Sequence, residues 1–388
     1  MKILQDAMDL QFEAINEDVP GSKWRRVFDR HWPAYSRWFV REGVRSRPTY
    51  SMSLEALRTH MPKLLPTYEA IVETAGGGDL EARFLSMWCP PFYVRGCSQA
   101  ILTGADSSLI RNYDYSPRLL EGTWLASRFN GKRVVAVVDC LWGVLDGINE
   151  DGLAVSLAFG GRTAEGQGFG MPVVLRYVLE FANTTAAAVA ILRDIPVHMS
   201  YSIALIDREG NHATVYVNPD RPAEVVERRV STNHQHGVEW AYHAETTKSV
   251  EREAAVEKLL SASASITNVL SGFQRPPVYQ THYGRDCGTL YTAVYSSAPP
   301  SIRHTTDVTA ARYTPPSTDR STPRWNWSGR ARAGGNPAPI SRTRCAPSAS
   351  TTGFRRPCAN LQGRCGEQLT ILQIDHFETR VTGQAVGR

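Results

Sequence analysis

The sequence lacks the features that mark membrane and secreted proteins. No run of apolar residues among its 388 approaches the roughly 20 needed to cross a bilayer. The first twenty residues carry acidic side chains and lack the apolar stretch of a signal peptide. Cysteine forms no CxxC pair, and its odd number is typical of free thiols in a reducing compartment; the positions are 89, 97, 140, 287, 345, 358 and 365. We therefore expect a cytoplasmic protein with no membrane partner.

Lysine is missing from the end of the chain. From Ser301 onward there are 13 arginines, 5 acidic residues and no lysine, so this tail supplies all of the net charge of +5. The remainder is close to neutral, which gives no reason to expect a nucleic-acid partner. Because the tail is rich in Pro, Ser and Thr without an apolar period, residues 299–388 are predicted to be disordered or translated in a shifted reading frame. Resequencing codons 290–310 tests the second interpretation, which an intact frame would refute.

The periodicity of apolar residues changes once along the chain. Residues 1–96, including DAMDLQFEAINE (residues 6–17), have apolar spacings of three and four and are predicted to form a helical segment. From Cys97 the period becomes two, as in CSQAILTG, SLIRNYDY, RVVAVVDC and LAVSLAF. Helical blocks such as MPVVLRYVLEFA and SVEREAAVEKLLS interrupt the later strands. Residues 97–298 are thus predicted to be an α/β domain with two sheets covered by helices.

Cys97 stands at this boundary, in the segment RGCSQAI. The ordinary interpretation is a buried cysteine that opens a strand. The alternative is a nucleophile, because Gly96 leaves its own carbonyl open to attack by the thiol that follows it. Cleavage between Gly96 and Cys97 would give Cys97 a free α-amine, whose usual pKa of about 8 makes it a base near neutral pH. One residue would then supply both nucleophile and base.

Arg111, Asp114 and Asn233 are the polar residues most able to assist Cys97. Arg111 and Asp114 lie in RNYDYS, where an i, i+3 pair in a strand points to opposite faces unless a bulge intervenes. They are either two edge residues with separate partners, or Asp114 orients the Cys97 amine while Arg111 lowers the pKa of the thiol. Asn233 follows a strand in STNHQHG and is either a turn residue or a donor to the oxyanion of a tetrahedral intermediate.

Two other patterns predict no chemistry of their own. His234 and His236 lie two residues apart, but no Cys or acidic residue has metal-ligand spacing to them, so we expect no metal. The glycine-rich run over residues 160–172 lacks the ending of a phosphate-binding loop and is predicted to be a surface loop, or a mobile loop beside a pocket.

Five segments in order give the sequence a resemblance: RGCSQAI, RNYDY, DGINEDGLAVSLAFGGR, STNHQ and GTLYTAVY. Between about residue 60 and 297 the chain resembles the acyl-coenzyme A:isopenicillin N acyltransferase family. More distantly it is similar to the choloylglycine hydrolase group, which includes bile salt hydrolases and penicillin V amidases. The resemblance implies a four-layer αββα N-terminal-nucleophile fold preceded by a helical segment. It also implies cleavage between Gly96 and Cys97, then attack by the Cys97 thiol on an amide or thioester.

The resemblance also implies roles for single residues. Cys97, Arg111, Asp114 and Asn233 match the hydrolase pattern, and Arg252 in SVER is the candidate for a later arginine that supports the nucleophile. Ala158 stands where bile salt hydrolases carry Asn, which favours the acyltransferase-like branch. The implied partners are a small-molecule amide or thioester and the two fragments of self-cleavage, which remain associated. No cofactor is implied, although acyl-coenzyme A would serve as a substrate.

Two other functions stay open on the sequence. One is a non-enzymatic binding protein that keeps the fold without being cleaved. The other is a conventional cysteine peptidase that pairs Cys97 with His234 or His236.

Overall fold

The computed structural model describes residues 8–93, 96–104, 107–263, 265–283, 287–297, 300–305, 325–331, 370–373 and 379–381. The α-helices are α1 (Ser22–Phe39), α2 (Tyr50–His60), α3 (Leu65–Ala75), α4 (Asp79–Leu85), α5 (Met171–Phe181), α6 (Thr185–Asp194), α7 (Ala241–Thr247), α8 (Ser249–Ala262) and α9 (Ile266–Phe273). Short 3₁₀ helices occupy Val44–Ser46, Pro62–Leu64 and Pro117–Leu119. None of the helices in these stretches is both long and apolar enough to span a bilayer.

The strands form two sheets. The strands of the first are β1 (Met8–Glu17), β4 (Thr123–Ser127), β5 (Val134–Asp139), β6 (Gly143–Asn149), β7 (Ala154–Phe159), β8 (Tyr201–Ile206), β9 (His212–Val217), β10 (Glu224–Val226) and β14 (Trp325–Ala331). Those of the second are β2 (Gly96–Leu102), β3 (Ser108–Tyr115), β11 (Val230–Ser231), β12 (Gly288–Ser297), β13 (Pro300–Thr305), β15 (Thr370–Gln373) and β16 (Thr379–Val381). Their orders are β10-β9-β8-β7-β6-β5-β4-β1-β14 and β11-β2-β3-β12-β13-β15-β16.

The two sheets pack face to face and carry helices on their outer sides. Strands β2 and β3 lie against β7 and β8, and β12 lies against β6 and β7. Helices α5 and α6 cover the first sheet, while α8 and α9 cover the second. Strands β2, β6 and β7 are buried at every residue, which is the pattern expected of strands covered on both faces. The expected four-layer αββα arrangement, with mixed α and β content, is therefore confirmed.

The first segment of the chain departs from its predicted helix. Residues 6–17 were predicted to be helical, but Met8–Glu17 is a strand, parallel to β4 and antiparallel to β14. Leu10 and every residue from Phe12 to Ile15 are buried, and Phe12 packs edge-on against Tyr291 with ring centroids 6.0 Å apart. Pairing with a sheet edge outweighs a local helical pattern in a segment this short. The helical segment predicted before Cys97 thus also contributes a strand to the first sheet.

The end of the second sheet also departs from prediction. Residues 299–388 were predicted to be disordered, yet Pro300–Thr305 pairs with β12 over six residues and buries Ile302. This pairing is made through hydrogen bonds to the backbone of β12. The apolar pattern of the tail sequence does not reveal such a partner. Of the other tail residues, only 325–331, 370–373 and 379–381 are described, each as a strand. The shifted reading frame stays a prediction.

The segment AEVVERRV divides between the two sheets. Its first part is β10 at the edge of the first sheet, and its last part leads into β11 at the edge of the second. Strand β11 pairs with β2, so that Ser231 lies opposite Gln99. The chain then continues directly into Asn233, which this crossing places beside the start of β2.

Candidate active site

Cys97 is the second residue of β2 and is completely buried. Its sulfur accepts a hydrogen bond from Nη2 of Arg111 at 3.2 Å. Strand β3 pairs with β2 so that Tyr113 lies opposite Cys97, and Arg111 is therefore the diagonal neighbour two residues away on the same face. Pairing of these two strands thus brings a buried guanidinium onto the thiol.

The backbone of Cys97 is held by two further side chains. Its N–H donates to Oδ1 of Asn233 at 3.0 Å. Its carbonyl oxygen accepts a hydrogen bond from Nη1 of Arg252, which α8 supplies from the outer side of the second sheet. The nitrogen, oxygen and sulfur of one residue are each bound by a different buried side chain.

Asn233 is held by hydrogen bonds at its backbone N–H and at both polar atoms of its side-chain amide. Its backbone N–H donates to Ser249 Oγ at 2.9 Å, and its Nδ2 donates to the carbonyl of Phe159 at 3.1 Å. Its Oδ1 accepts from both Cys97 N–H and Arg252 Nη2, and two converging donors require an oxygen at that position. The amide therefore presents an acceptor to the Cys97 nitrogen. Its predicted role as an oxyanion donor would use Nδ2 and stays a prediction.

Asp114 and Arg111 lie on opposite faces of β3, as an i, i+3 pair in a regular strand requires. Asp114 faces α8, where its Oδ2 accepts from Arg252 Nη1 at 3.3 Å; its Oδ1 accepts from Thr289 Oγ1 at 2.6 Å. Arg252 Nη1 also donates to Ser98 Oγ at 2.8 Å. The Asp114 carboxylate therefore accepts hydrogen bonds from Arg252 and Thr289, whereas the Cys97 N–H donates to Asn233. Asp114 thus contacts the same guanidinium that binds the Cys97 carbonyl oxygen.

Sequence reasoning missed the partners of Arg111. Its Nη1 forms a buried ion pair with Asp146 on β6 of the opposite sheet. Tyr291 and Tyr295 on β12 both donate their hydroxyl hydrogens to this carboxylate. The available signals were a single acidic residue inside the apolar strand GVLDGIN and two tyrosines four residues apart in GTLYTAVY. Neither signal identifies its partner without the packing of the two sheets.

Burial dominates the protonation of the site. It raises the pKa of the Cys97 thiol above its usual value, although Arg111 beside the sulfur acts to lower it. It also raises the pKa of Asp114, against the opposing effect of Arg252. Burial is the larger of these two effects on the thiol pKa, and the predicted role of Arg111 stays a prediction. The thiol of the uncleaved chain is therefore protonated at neutral pH and needs a base to become a nucleophile.

The two histidines near Asn233 are engaged elsewhere. The ring nitrogens of His234 lie 2.7 Å from Ser249 Oγ and 3.0 Å from Glu253 Oε2. The side chain of His236 is 61% exposed and its Nε2 lies 2.7 Å from Glu224 Oε2, whereas Cys97 is completely buried. This geometry gives no support to a Cys–His pair. In the described part of the chain, no group of three or more His, Cys, Asp or Glu residues could hold a metal ion.

The glycine-rich run is packed against the site at its first residues. Gly161 has a φ of +71°, and a Cβ built on it would lie 2.1 Å from the backbone oxygen of Asn233. Only glycine satisfies both the conformation and the close approach. The run was predicted to be a surface or mobile loop, but its start is a buried support for Asn233.

We expect Gly161→Ala to destabilise the fold and to displace Asn233. Gly131→Ala is the matched control, since Gly131 has a similar φ of +84° but no atom within 4 Å of its built Cβ. The control should lower the free energy of unfolding by about 1 kcal/mol, the cost of a side chain in this conformation. Gly161→Ala should cost about 3 kcal/mol more because of overpacking. Urea denaturation measures both, and equal losses would contradict the packing role.

A protein-family model matches the part of the chain that contains this geometry. The family is described as "Acyl-coenzyme A:6-aminopenicillanic acid acyl-transferase", and the match covers residues 102–310, a segment that begins just after Cys97. No protein of curated function matches the sequence significantly.

Several solved structures match more loosely. A mutant of the conjugated bile acid hydrolase from Clostridium perfringens matches with 14% identity over 54% of this chain and 89% of its own, at a TM-score of 0.41. A penicillin V acylase from Agrobacterium tumefaciens matches with 15% identity over 54% of this chain and 74% of its own, at a TM-score of 0.34. A Caenorhabditis elegans N-acylethanolamine-hydrolyzing acid amidase ortholog matches with 17% identity over 52% of this chain and 93% of its own, at a TM-score of 0.37. Because these TM-scores are below 0.5, the functions of the three proteins are not assigned to this chain.

The family match is of a different kind. It spans more than half of the sequence and contains four of the residues bound around Cys97: Arg111, Asp114, Asn233 and Arg252. The chain therefore belongs to the acyl-coenzyme A:6-aminopenicillanic acid acyl-transferase family.

Proposed function

We propose that the protein cuts its own chain between Gly96 and Cys97 and then transfers or hydrolyses acyl groups through a thioester on Cys97. The observation that supports this most strongly is the set of three buried side chains on one residue. Arg111 binds its sulfur, Asn233 its nitrogen and Arg252 its oxygen. Any buried residue needs partners for its backbone N–H and C=O, but a cysteine with only a packing role needs no buried guanidinium on its sulfur, since desolvating that charge costs free energy. The family supports acyl transfer as the class of reaction.

Self-cleavage would proceed by an acyl shift from nitrogen to sulfur. The Cys97 thiol attacks the Gly96 carbonyl carbon, the C–S bond forms, and the C–N bond to Cys97 breaks. The thiol proton passes to the departing nitrogen, which becomes the α-amine. Water then hydrolyses the thioester, which leaves a carboxylic acid on Gly96 and a free thiol on Cys97. Asn233 Oδ1, which already accepts the Cys97 N–H, would stabilise the nitrogen as it gains a proton.

Turnover would use the same two atoms again. The α-amine takes the thiol proton, and the sulfur attacks the acyl carbonyl of the substrate. The resulting ammonium returns that proton to the departing amine or thiolate as the acyl-cysteine forms. Arg111 stabilises the sulfur while it is anionic, and backbone N–H groups or Asn233 Nδ2 would donate to the oxyanion. A water molecule or an amine then accepts the acyl group.

The substrate class is a small-molecule amide or thioester, with acyl-coenzyme A as one thioester donor. The family description names such a transfer, and Ala158, buried in β7, supplies no side-chain donor of the kind the bile salt hydrolases carry. No cofactor has a role in these steps, because thiol, amine and hydrogen-bond donors suffice for acyl transfer.

The fragments of cleavage are proposed to stay together. Strand β1 lies within the first sheet between β4 and β14, and Trp24 of α1 donates to the carbonyl of Leu141 at 3.0 Å. The hydroxyl of Tyr35 lies 2.8 Å from the carboxylates of both Glu121 and Asp139. Cutting the bond between the first two residues of β2 leaves all of these contacts in place.

Histidine variants separate this proposal from a Cys–His peptidase. His236→Ala should leave self-cleavage unchanged, and His234→Ala should slow it less than about threefold, since neither ring faces the thiol. Loss of a general base would instead slow it by about 100-fold or more. The cleaved fraction is followed by intact mass spectrometry after expression. A loss of that larger size in either variant would favour the peptidase.

Trapping the acyl-enzyme tests the proposed chemistry itself. The purified protein is mixed with a panel of acyl amides and acyl thioesters, quenched in acid and digested. A mass increase equal to the acyl group should appear on the peptide that contains Cys97, and hydroxylamine should remove it. Acyl groups found on other cysteines but not on Cys97 would exclude the thioester mechanism.

A further inference from the structure

One buried cluster lies behind the thiol rather than around it. Asp146 projects from β6 of the first sheet and meets Arg111 of the second sheet across the interior of the fold. Both side chains are completely buried. Taking two charges out of water in this way costs free energy, which a contact made only for stability would avoid.

Two tyrosines complete the cluster. Tyr291 and Tyr295 are four residues apart on β12 and so project from the same face of the strand. The Tyr291 hydroxyl donates to Oδ1 of Asp146 at 2.6 Å, and the Tyr295 hydroxyl donates to Oδ2. Burial and the neighbouring Asp146 hold the pKa of each tyrosine well above its usual value, so both remain neutral donors. Each oxygen of the carboxylate therefore has its own hydroxyl donor.

We propose that Asp146, Tyr291 and Tyr295 are positioning residues that hold Arg111 against the sulfur of Cys97. A guanidinium is a rigid planar fork, so fixing its Nη1 on Asp146 aims its Nη2 at the thiol, where it is found. The face of Tyr113, 4.9 Å from the guanidinium carbon, restrains the plane of the fork.

The tyrosine hydroxyls also affect the thiol through charge. An unshared carboxylate beside Arg111 would cancel much of the positive field that reaches the sulfur. Two hydrogen bonds disperse the charge of Asp146, which leaves the guanidinium more able to stabilise a thiolate. The effect of the cluster on turnover rests on the proposed function, but its effect on the acidity of the thiol does not.

The test is the titration of Cys97 in a protein with both tyrosines changed, Tyr291→Phe and Tyr295→Phe. Asp146→Asn would leave a buried guanidinium without a counter-charge and endanger folding, so the tyrosines are the sharper variants. Absorbance at 240 nm is recorded against pH, and the absorbance of the same protein carrying Cys97→Ala is subtracted from it, which cancels the signals of groups other than the Cys97 thiolate. The midpoint should rise by about one pH unit, because the sulfur loses part of the field that stabilises its anion.

Tyr68→Phe is the matched control, since it removes a buried hydroxyl that donates to the carbonyl of Ala82 in the helical segment. Its midpoint should equal that of the unchanged protein. A midpoint that stays fixed in the double variant, or that moves equally in the control, would overturn the proposal. If the midpoint moves but no self-cleavage or acyl transfer is found, the proposed function fails and the positioning role stands.

Discussion

Cys97→Ala is expected to yield an intact chain with neither self-cleavage nor acyl transfer. The change removes the attacking sulfur of both reactions while it leaves a small apolar side chain in a fully buried position. Loss of a covalent nucleophile should lower turnover by at least about 10⁴-fold. Intact mass spectrometry and a discontinuous assay with an acyl thioester measure the two effects.

Cys140→Ala is the control for this variant. Cys140 is also a buried cysteine, but it follows β5 and its N–H donates to the Tyr35 hydroxyl at 2.9 Å. Both activities should survive its replacement. Cleavage that persists in Cys97→Ala would contradict the account, as would an equal loss in the two variants.

Arg252→Lys is expected to cause the second largest loss, about 100-fold in turnover, with the charge of the site retained. The guanidinium of Arg252 binds Cys97 O, Ser98 Oγ, Asp114 and Asn233 at once. The compact ammonium of lysine has no fork to reach all four partners. Displacement of Asn233 and the Cys97 backbone by as little as about 1 Å is enough for a loss of this size.

Arg228→Lys is the control for that loss. The side chain of Arg228 is one-third exposed. It pairs with Glu253 at 3.2 Å and with Glu257 at 3.3 Å, and both glutamates lie on α8, the helix that carries Arg252. Since Arg228 is partly exposed and lysine keeps its charge, the turnover of this variant should change less than about twofold. Circular dichroism establishes that both variants are folded. Full activity in folded Arg252→Lys would exclude the bridging role.

Much of the site could be predicted from the sequence because its residues lie at changes of local pattern. Cys97 follows a glycine where a helical period gives way to a strand period, and Asn233 follows the end of a strand. The structure brings both together with Arg111, Asp114 and Arg252, while their chemical roles remain predictions. Arg252 was the least certain of the five on sequence, since nothing in a helix surface pattern tells which arginine turns inward.

The contacts that sequence could not supply are those made across sheets. Asp146 is a single acidic residue in a buried strand, and its role depends on Arg111 of the facing sheet. The sequence left Asp114 either with a separate partner or on the Cys97 nitrogen. Strand alternation turns its carboxylate toward α8, which supplies Arg252, and a role at the nitrogen stays a prediction. Strand β1 was predicted to be a helix because both of its neighbours in the sheet, β4 and β14, come from residues more than 100 positions later.

The most direct test of the central claim is the mass and the N-terminal sequence of the purified full-length protein, which has a mass of 43.0 kDa when intact. The account predicts two species that elute together from a sizing column, one ending at Gly96 and one beginning at Cys97 with a free amine. A single uncut chain of the unchanged protein, beginning at Met1, would contradict it.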